Sequence, residues 1–174
     1  MGPSGSGKSS LLAYIAGFLA PAFESGGEVL VNGADITSLP AERRRIGLLF
    51  QDPLLFPHLS VSGNLRFALE GNSEDKKQRV QQGLHEIGLA GYENRDPETL
   101  SGGQKSRIAL LRLLLSAPSA VLLDEPFSKL DTQLREEVRT LVFDKLRASG
   151  LPTILVTHDE ADAAGAGGEI RTLS

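Results

Sequence analysis

The chain has no cysteine in its 174 residues, so disulfides and thiolate metal sites are excluded, as suits a reducing compartment. It has no positive excess either, with 18 Lys and Arg against 22 Asp and Glu for a formal net charge of -4. The whole-chain balance therefore gives no electrostatic argument for nucleic acid or acidic lipid. Long apolar runs are missing too. Residues 11–23 are broken by Gly17 and Pro21, and Arg112 and Pro118 divide residues 109–123, so neither reads as a membrane span. Lys8 ahead of the first stretch outlines a secretory signal, and Met1-Gly2 with Ser6 a myristoylation site; a buried helix accounts for the stretch better. There is no internal repeat, low-complexity tract or long linker.

What remains is a length suited to one domain, with 40% apolar and 23% charged residues as in ordinary globular proteins. A helix is predicted from Lys8 to about residue 19, then a short strand over 27–33 closed by a turn. A second strand, 46–50, delivers Gln51 at its end. From 52 to 100 the pattern turns to helices and loops, with Val80, Leu84 and Ile87 at helical spacing in 76–88. Residues 101–115 read as a helix and 120–123 as a buried strand. A further helix covers 132–149, with Leu134, Val138, Leu141 and Val142 on one face. Residues 153–156 are another buried strand, followed by a short helix and a last strand near 169–173. Apolar strands alternating with helices predict an α/β fold with a largely parallel sheet, on which the 52–100 stretch could sit as a helical subdomain.

Residues 2–9, Gly-Pro-Ser-Gly-Ser-Gly-Lys-Ser, satisfy the phosphate-loop pattern G-x-x-x-x-G-K-[ST]. Its glycines let backbone N–H groups curl around phosphate oxygens at a helix start, Lys8 neutralises the β- and γ-phosphates, and Ser9 holds a magnesium ion. The alternative, a flexible glycine-serine tail, does not explain the apolar helix that follows at once. Asp124 closes the 120–123 strand, where ligands of open α/β sheets gather and where magnesium needs a further oxygen. Glu125 comes next, placed to orient and deprotonate an attacking water, although Asp-Glu-Pro is also good turn chemistry. Ser101-Gly102-Gly103-Gln104 opens a helix as a second anion site, or as a capping box in which Ser101 and Gln104 serve only the helix start.

Together the 2–9 loop and Leu100-Ser101-Gly102-Gly103-Gln104 resemble the ATP-binding subunit of an ABC transporter, a P-loop NTPase. The resemblance covers essentially the whole chain. It implies helices on both faces of the sheet and one ABC ATPase domain over 1–174, with a core of 1–50 and 117–174 and a helical subdomain over about 52–116. It implies ATP bound by Gly2, Pro3, Ser4, Gly5, Ser6, Gly7, Lys8, Ser9 and Ser10. Across a head-to-tail homodimer, Ser101, Gly102, Gly103 and Gln104 would reach the γ-phosphate on the partner. Ser9, Gln51 and Asp124 would surround Mg2+. Gln51 and His158, in Thr157-His158-Asp159, would join Glu125 in hydrolysis. Ser128-Lys129-Leu130-Asp131 resembles the family's D-loop, with Asp131 at the nucleotide, although Lys129 stands where a small residue is more usual. His58 and His85 carry no such match.

Residues 40–45, Phe50-Gln51-Asp52, residues 55–61 and Asn64 resemble importer ATPases for thiamine, polyamines, sugars, sulfate or ferric iron. The resemblance implies permease subunits docking near Gln51 to Leu59, a solute-binding protein in the same system, no nucleic acid, and a place on the cytoplasmic face of the membrane. Leu54, Leu55, Phe56 and Leu59 are then either that interface or local core. The family's adenine-stacking aromatic and the strand that leads into the loop have no counterpart, which predicts that Met1 is internal to a longer natural protein. Two other readings share the motifs: a soluble ABC-type ATPase of DNA repair or translation, and a nucleotide-binding fragment without activity. The first usually brings a coiled coil, duplicated cassettes or a basic face, none of which the sequence shows.

Overall fold

In the computed structural model, which describes residues 6–173, Gly7 turns the chain with a left-handed φ of 82° and α1 (Lys8–Ala16) begins at once. The helix stops short of the boundary expected near residue 19. Gly17 adopts φ 88° and its N–H caps the carbonyls of Ala13 and Tyr14. The strand expected over 27–33 is reduced to β1 (Leu30–Val31), because Asn32 and Gly33, both at positive φ, fold it into a hairpin with β2 (Ala34–Asp35).

The chain continues through a one-turn α2 (Ala41–Arg44), β3 (Ile46–Leu49), α3 (Val61–Phe67) and α4 (Ser73–Glu86). Then come α5 (Gly102–Leu115), β4 (Ala120–Asp124), α6 (Thr132–Ser149), β5 (Thr153–Val156) and α7 (Glu160–Ala166). The strands β3, β4 and β5 form one parallel sheet in that spatial order, with Leu48 beside Leu122 and Leu122 beside Ile154.

Alternation along β4 sets the layers. Leu122 turns to one face and packs with Leu12 and Ala16 of α1. Val121 and Leu123 turn to the other, among Leu110, Phe127, Val138 and Val142 of α5, α6 and the loop before α6. All three β4 side chains are essentially inaccessible, and burial of each contributes about 1.5–3 kcal/mol. A second apolar cluster gathers Val61, Leu65, Val80, Leu84, Ile108 and Leu111 from α3, α4 and α5. Gly83 lets α4 approach α5 closely there, since a Cβ would lie 2.7 Å from Leu111 Cδ1 and force that side chain to shift.

The last expected strand does not form. Residues 169–173 run irregularly along a cavity of about 520 Å3 whose opposite wall is β5. Among the described residues β5 pairs only with β4, and residues 169–172 are exposed, so water can serve their backbone groups in place of a ladder.

Candidate functional site

Asp124, Glu125 and His158 stand at or just beyond the C-terminal ends of the parallel strands, while Lys8, Ser9 and Ser10 open α1. Lys8, in the first turn of α1, is buried, and its Nζ donates to Ser6 Oγ at 3.4 Å. Gly2, Pro3, Ser4 and Gly5 lie outside the described residues. Ser9, Ser10 and Asp124 line one cavity of about 340 Å3, with Leu12, Leu48 and Phe50 as apolar walls. The helix start and the strand end expected to share a metal thus face the same space. Both donors are hard oxygens, a hydroxyl and a carboxylate, which fits Mg2+. Among the described residues no group of three His, Asp or Glu could hold a metal by itself, so ligand oxygens would complete the set.

Glu125 leaves β4 with φ 46°, a left-handed conformation uncommon for a residue bearing a side chain. The backbone around it secures that conformation. Glu125 N–H donates to Val156 O at 2.9 Å, and Glu125 O accepts from Ser128 Oγ at 2.8 Å and Ser128 N–H at 3.2 Å. The carboxylate is then delivered to His158, whose Nδ1 lies 3.1 Å from Glu125 Oε1. Glu125 is half-buried while His158 is largely exposed, so the pair stands at a protein surface with its inner member shielded.

Asp131 caps α6, accepting from Leu134 N–H at 3.1 Å. Ser101 caps α5 in a full capping box: Ser101 Oγ accepts Gln104 N–H at 3.3 Å, and Gln104 Oε1 accepts Ser101 N–H at 3.0 Å. The capping alternative for Ser101 is therefore realised. It leaves Ser101 exposed, so it is compatible with a second use. Gly103 lets α5 lie close to Leu134, whose side chain would have to shift for any Cβ there, 2.6 Å from Cδ2.

Gln51 is exposed beyond the end of β3. The apolar group after it divides: Leu55 packs against both larger apolar clusters, whereas Leu54 is exposed. Phe56 stacks edge-on with the exposed Phe67 at 4.8 Å between ring centroids. This stretch is held by Asn64, fully buried, which accepts from Phe56 N–H at 2.8 Å and donates to the carbonyls of Phe56, Leu59 and Ser60. Arg112 adds Nη2 to Leu54 O at 3.0 Å, and burial pulls its pKa below the usual arginine value.

Sequence reasoning misses three arginines that organise the site. Arg44, buried, donates to the carbonyls of Tyr14, Ile15, Thr37 and Leu39 and so fastens the end of α1. Arg112 fastens the segment after Gln51. Arg135 donates to Ser128 O at 3.2 Å and to Asp159 at 3.0 Å, which joins the loop after Glu125 to the residue beside His158. No spacing pattern announces such residues, because their acceptors are backbone carbonyls of distant segments.

A parallel sheet with helices, carrying Asp124, Glu125 and His158 at its strand ends, fits a P-loop NTPase, and comparison with known proteins narrows the class. The profile of the ABC transporter family matches residues 1–128. The chain is 49% identical over 164 residues to the uncharacterized ABC transporter ATP-binding protein YnjD of Escherichia coli, covering 93% of this chain and 76% of that one. It is 47% identical to the thiamine import ATP-binding protein ThiQ of Jannaschia, covering 94% and 71% respectively. It is 43% identical to the Fe(3+) ions import ATP-binding protein FbpC of Mesorhizobium japonicum, covering 99% of this chain but only 49% of that protein. The ATP-binding cassette MJ0796, in a dimeric post-hydrolysis state bound to ADP and Pi, superposes with TM-score 0.77 at 32% identity, over 95% of this chain and 75% of that one. The chain belongs to the ABC transporter family. Within it, the chain is an ATP-binding, ATP-hydrolysing subunit.

Proposed function

We propose that this subunit energises solute import, working as a head-to-tail dimer on the cytoplasmic face of a membrane beneath two permease subunits and with a solute-binding protein. The import names of the thiamine and Fe(3+) relatives and the dimeric state of the structural relative support this reading. They also weigh against a soluble repair or translation ATPase. Among the described residues no helix is long and apolar enough to cross a membrane, so membrane association would run through partners. The permease would sit near Gln51 to Leu59, where Leu54 and Phe67 are exposed. We further propose the division into a core of residues 1–50 and 117–174 and a helical subdomain of about 52–116.

One observation carries the catalytic assignment: the Glu125 carboxylate and the His158 ring meet at 3.1 Å beyond the C-terminal end of the central strand, one residue after Asp124. ATP supplies the phosphoryl group, and Mg2+ between Ser9, Gln51 and Asp124 would neutralise charge on its oxygens. Lys8 and the backbone N–H groups of the loop hold the β- and γ-phosphates, with Ser10 beside them. Glu125 would take a proton from water, and His158 and Gln51 would contact the γ-phosphate and that water. Ser101, Gly102, Gly103 and Gln104 with Asp131 close it from the partner subunit. The test is phosphate release and nucleotide binding by the chain and by Lys8→Ala. Binding and hydrolysis are expected to fall together; Lys8→Ala with parental binding would remove the reading.

A further inference from the structure

Lys129 stands where the family resemblance implies a small residue, and its ammonium has a specific destination. Its Nζ lies 2.5 Å from Asp52 Oδ1, an ion pair spanning 77 positions of sequence. The side chains are 52% and 61% exposed, and a pair so open to water contributes at most about 1 kcal/mol to stability. Its effect is therefore on which segments move together. Asp52 follows Gln51 directly, whereas Lys129 belongs to the loop between Glu125 and Asp131.

That loop is stiff. Ser128 is bonded to Glu125 O through both its hydroxyl and its N–H, Leu130 N–H donates to Phe127 O, and Phe127 is buried in the core. Arg135 holds Ser128 O and also Asp159, the neighbour of His158. On the other side, Arg112 and Asn64 fix the chain from Pro53 onwards. Between the end of β3 and that fixed stretch lie Phe50, Gln51 and Asp52, and the ion pair ties them to the loop.

We propose that the Lys129–Asp52 ion pair is a latch that positions Gln51 relative to Glu125 and His158, making residues 128–131 the common reference for all three. Lys129 and Asp52 are positioning residues, and this role rests on the proposed place of Gln51 in hydrolysis. Closure of a partner against residues 128–131 would then reach Gln51 through one contact that a small residue at position 129 cannot make.

The absence of native cysteine permits a direct test, because Gln51→Cys introduces the sole thiol, to which a nitroxide can be attached. Lys129→Glu or Asp52→Lys alone should increase label mobility at position 51, and the double reversal should restore it. In unlabelled proteins each single reversal should lower kcat for ATP about threefold to tenfold with KM unchanged, and the double should recover it. Melting temperatures of the four proteins should differ by no more than about 4 °C, as an exposed pair allows, so that a loss of kcat reports positioning rather than loss of folded protein. Label mobility indifferent to the reversals overturns the latch. So does a kcat that stays at parental level in the singles or stays low in the double. Failure of the ATP-site reading is separate, since it would appear as unimpaired binding by Lys8→Ala.

Discussion

His158 Nδ1 and Glu125 Oε1 stand 3.1 Å apart although 33 positions separate them in sequence. Two neighbouring parallel strands bring them together, β4 ending at Asp124 and β5 at Val156, with those two residues paired in register. Glu125→Gln keeps size and hydrogen bonding while removing the proton-accepting carboxylate. Hydrolysis should fall about 10²- to 10⁴-fold, with ATP binding through Lys8 and Ser9 preserved. Phosphate release near the parental rate would refute Glu125 as the base.

Ser101 has two roles to separate, and two substitutions do so. Ser101→Arg removes the cap of α5, at about 1 kcal/mol, and also places bulk where the partner's γ-phosphate would approach. Ser101→Asp keeps a good cap and adds negative charge. Both should leave ATP binding to the monomer intact and abolish ATP-driven dimerisation in light scattering. An ATP-dependent dimer of Ser101→Asp would show that the cap is the residue's whole function.

Arg44 carries a stability prediction. Its guanidinium is buried and serves four carbonyls from α1 and the segment before α2, at 2.6–2.8 Å. Arg44→Met would strand those acceptors and lose charge-assisted bonds, for about 3 kcal/mol or more. Arg44→Lys, with one ammonium in place of a planar fork, should recover only part of this. Denaturant midpoints of the three proteins rank them, and equal midpoints for Arg44→Met and the parent would contradict the assignment.

The parts of this molecule legible in the sequence are those written in consecutive residues. The apolar strand ending at Asp124 and the Ser-Gly-Gly-Gln helix start each hold their own evidence, and the parallel sheet follows from the apolar strands between helices. What escapes is set by partners. Residues 169–173 have strand composition but face a cavity where a pairing edge would have to be. Residue 17 ends α1 because glycine there takes a left-handed turn, although apolar residues continue beyond it. Arg44, Arg112 and Arg135 act on backbone carbonyls that only the folded chain assembles, and Lys129 finds Asp52 across a surface.

Asp159 gives a prediction in pH. Its carboxylate caps α7, accepting Asp162 N–H at 3.0 Å, and pairs with Arg135 Nη1 at 3.0 Å. The Asp162 N–H is the largest cause of a pKa lowered from 3.8; burial opposes it, and the Ala161 N–H and the Arg135 charge add to it. The unfolded chain therefore takes up this proton first on acidification. Stability from Asp159 is complete above 3.8 and lost as pH falls from there through the lower folded value. Asp159→Ala should be less stable than the parent by about 1 kcal/mol at neutral pH. In denaturant titrations that gap should shrink as acid protonates the parent's carboxylate. Asp162 has its pKa raised, by burial first and also by the Asp159 charge, so both proteins carry Asp162→Asn and the difference between them isolates Asp159. A gap of constant size from neutral pH to well below 3.8 would show that the carboxylate's charge contributes nothing to holding α7 beside His158.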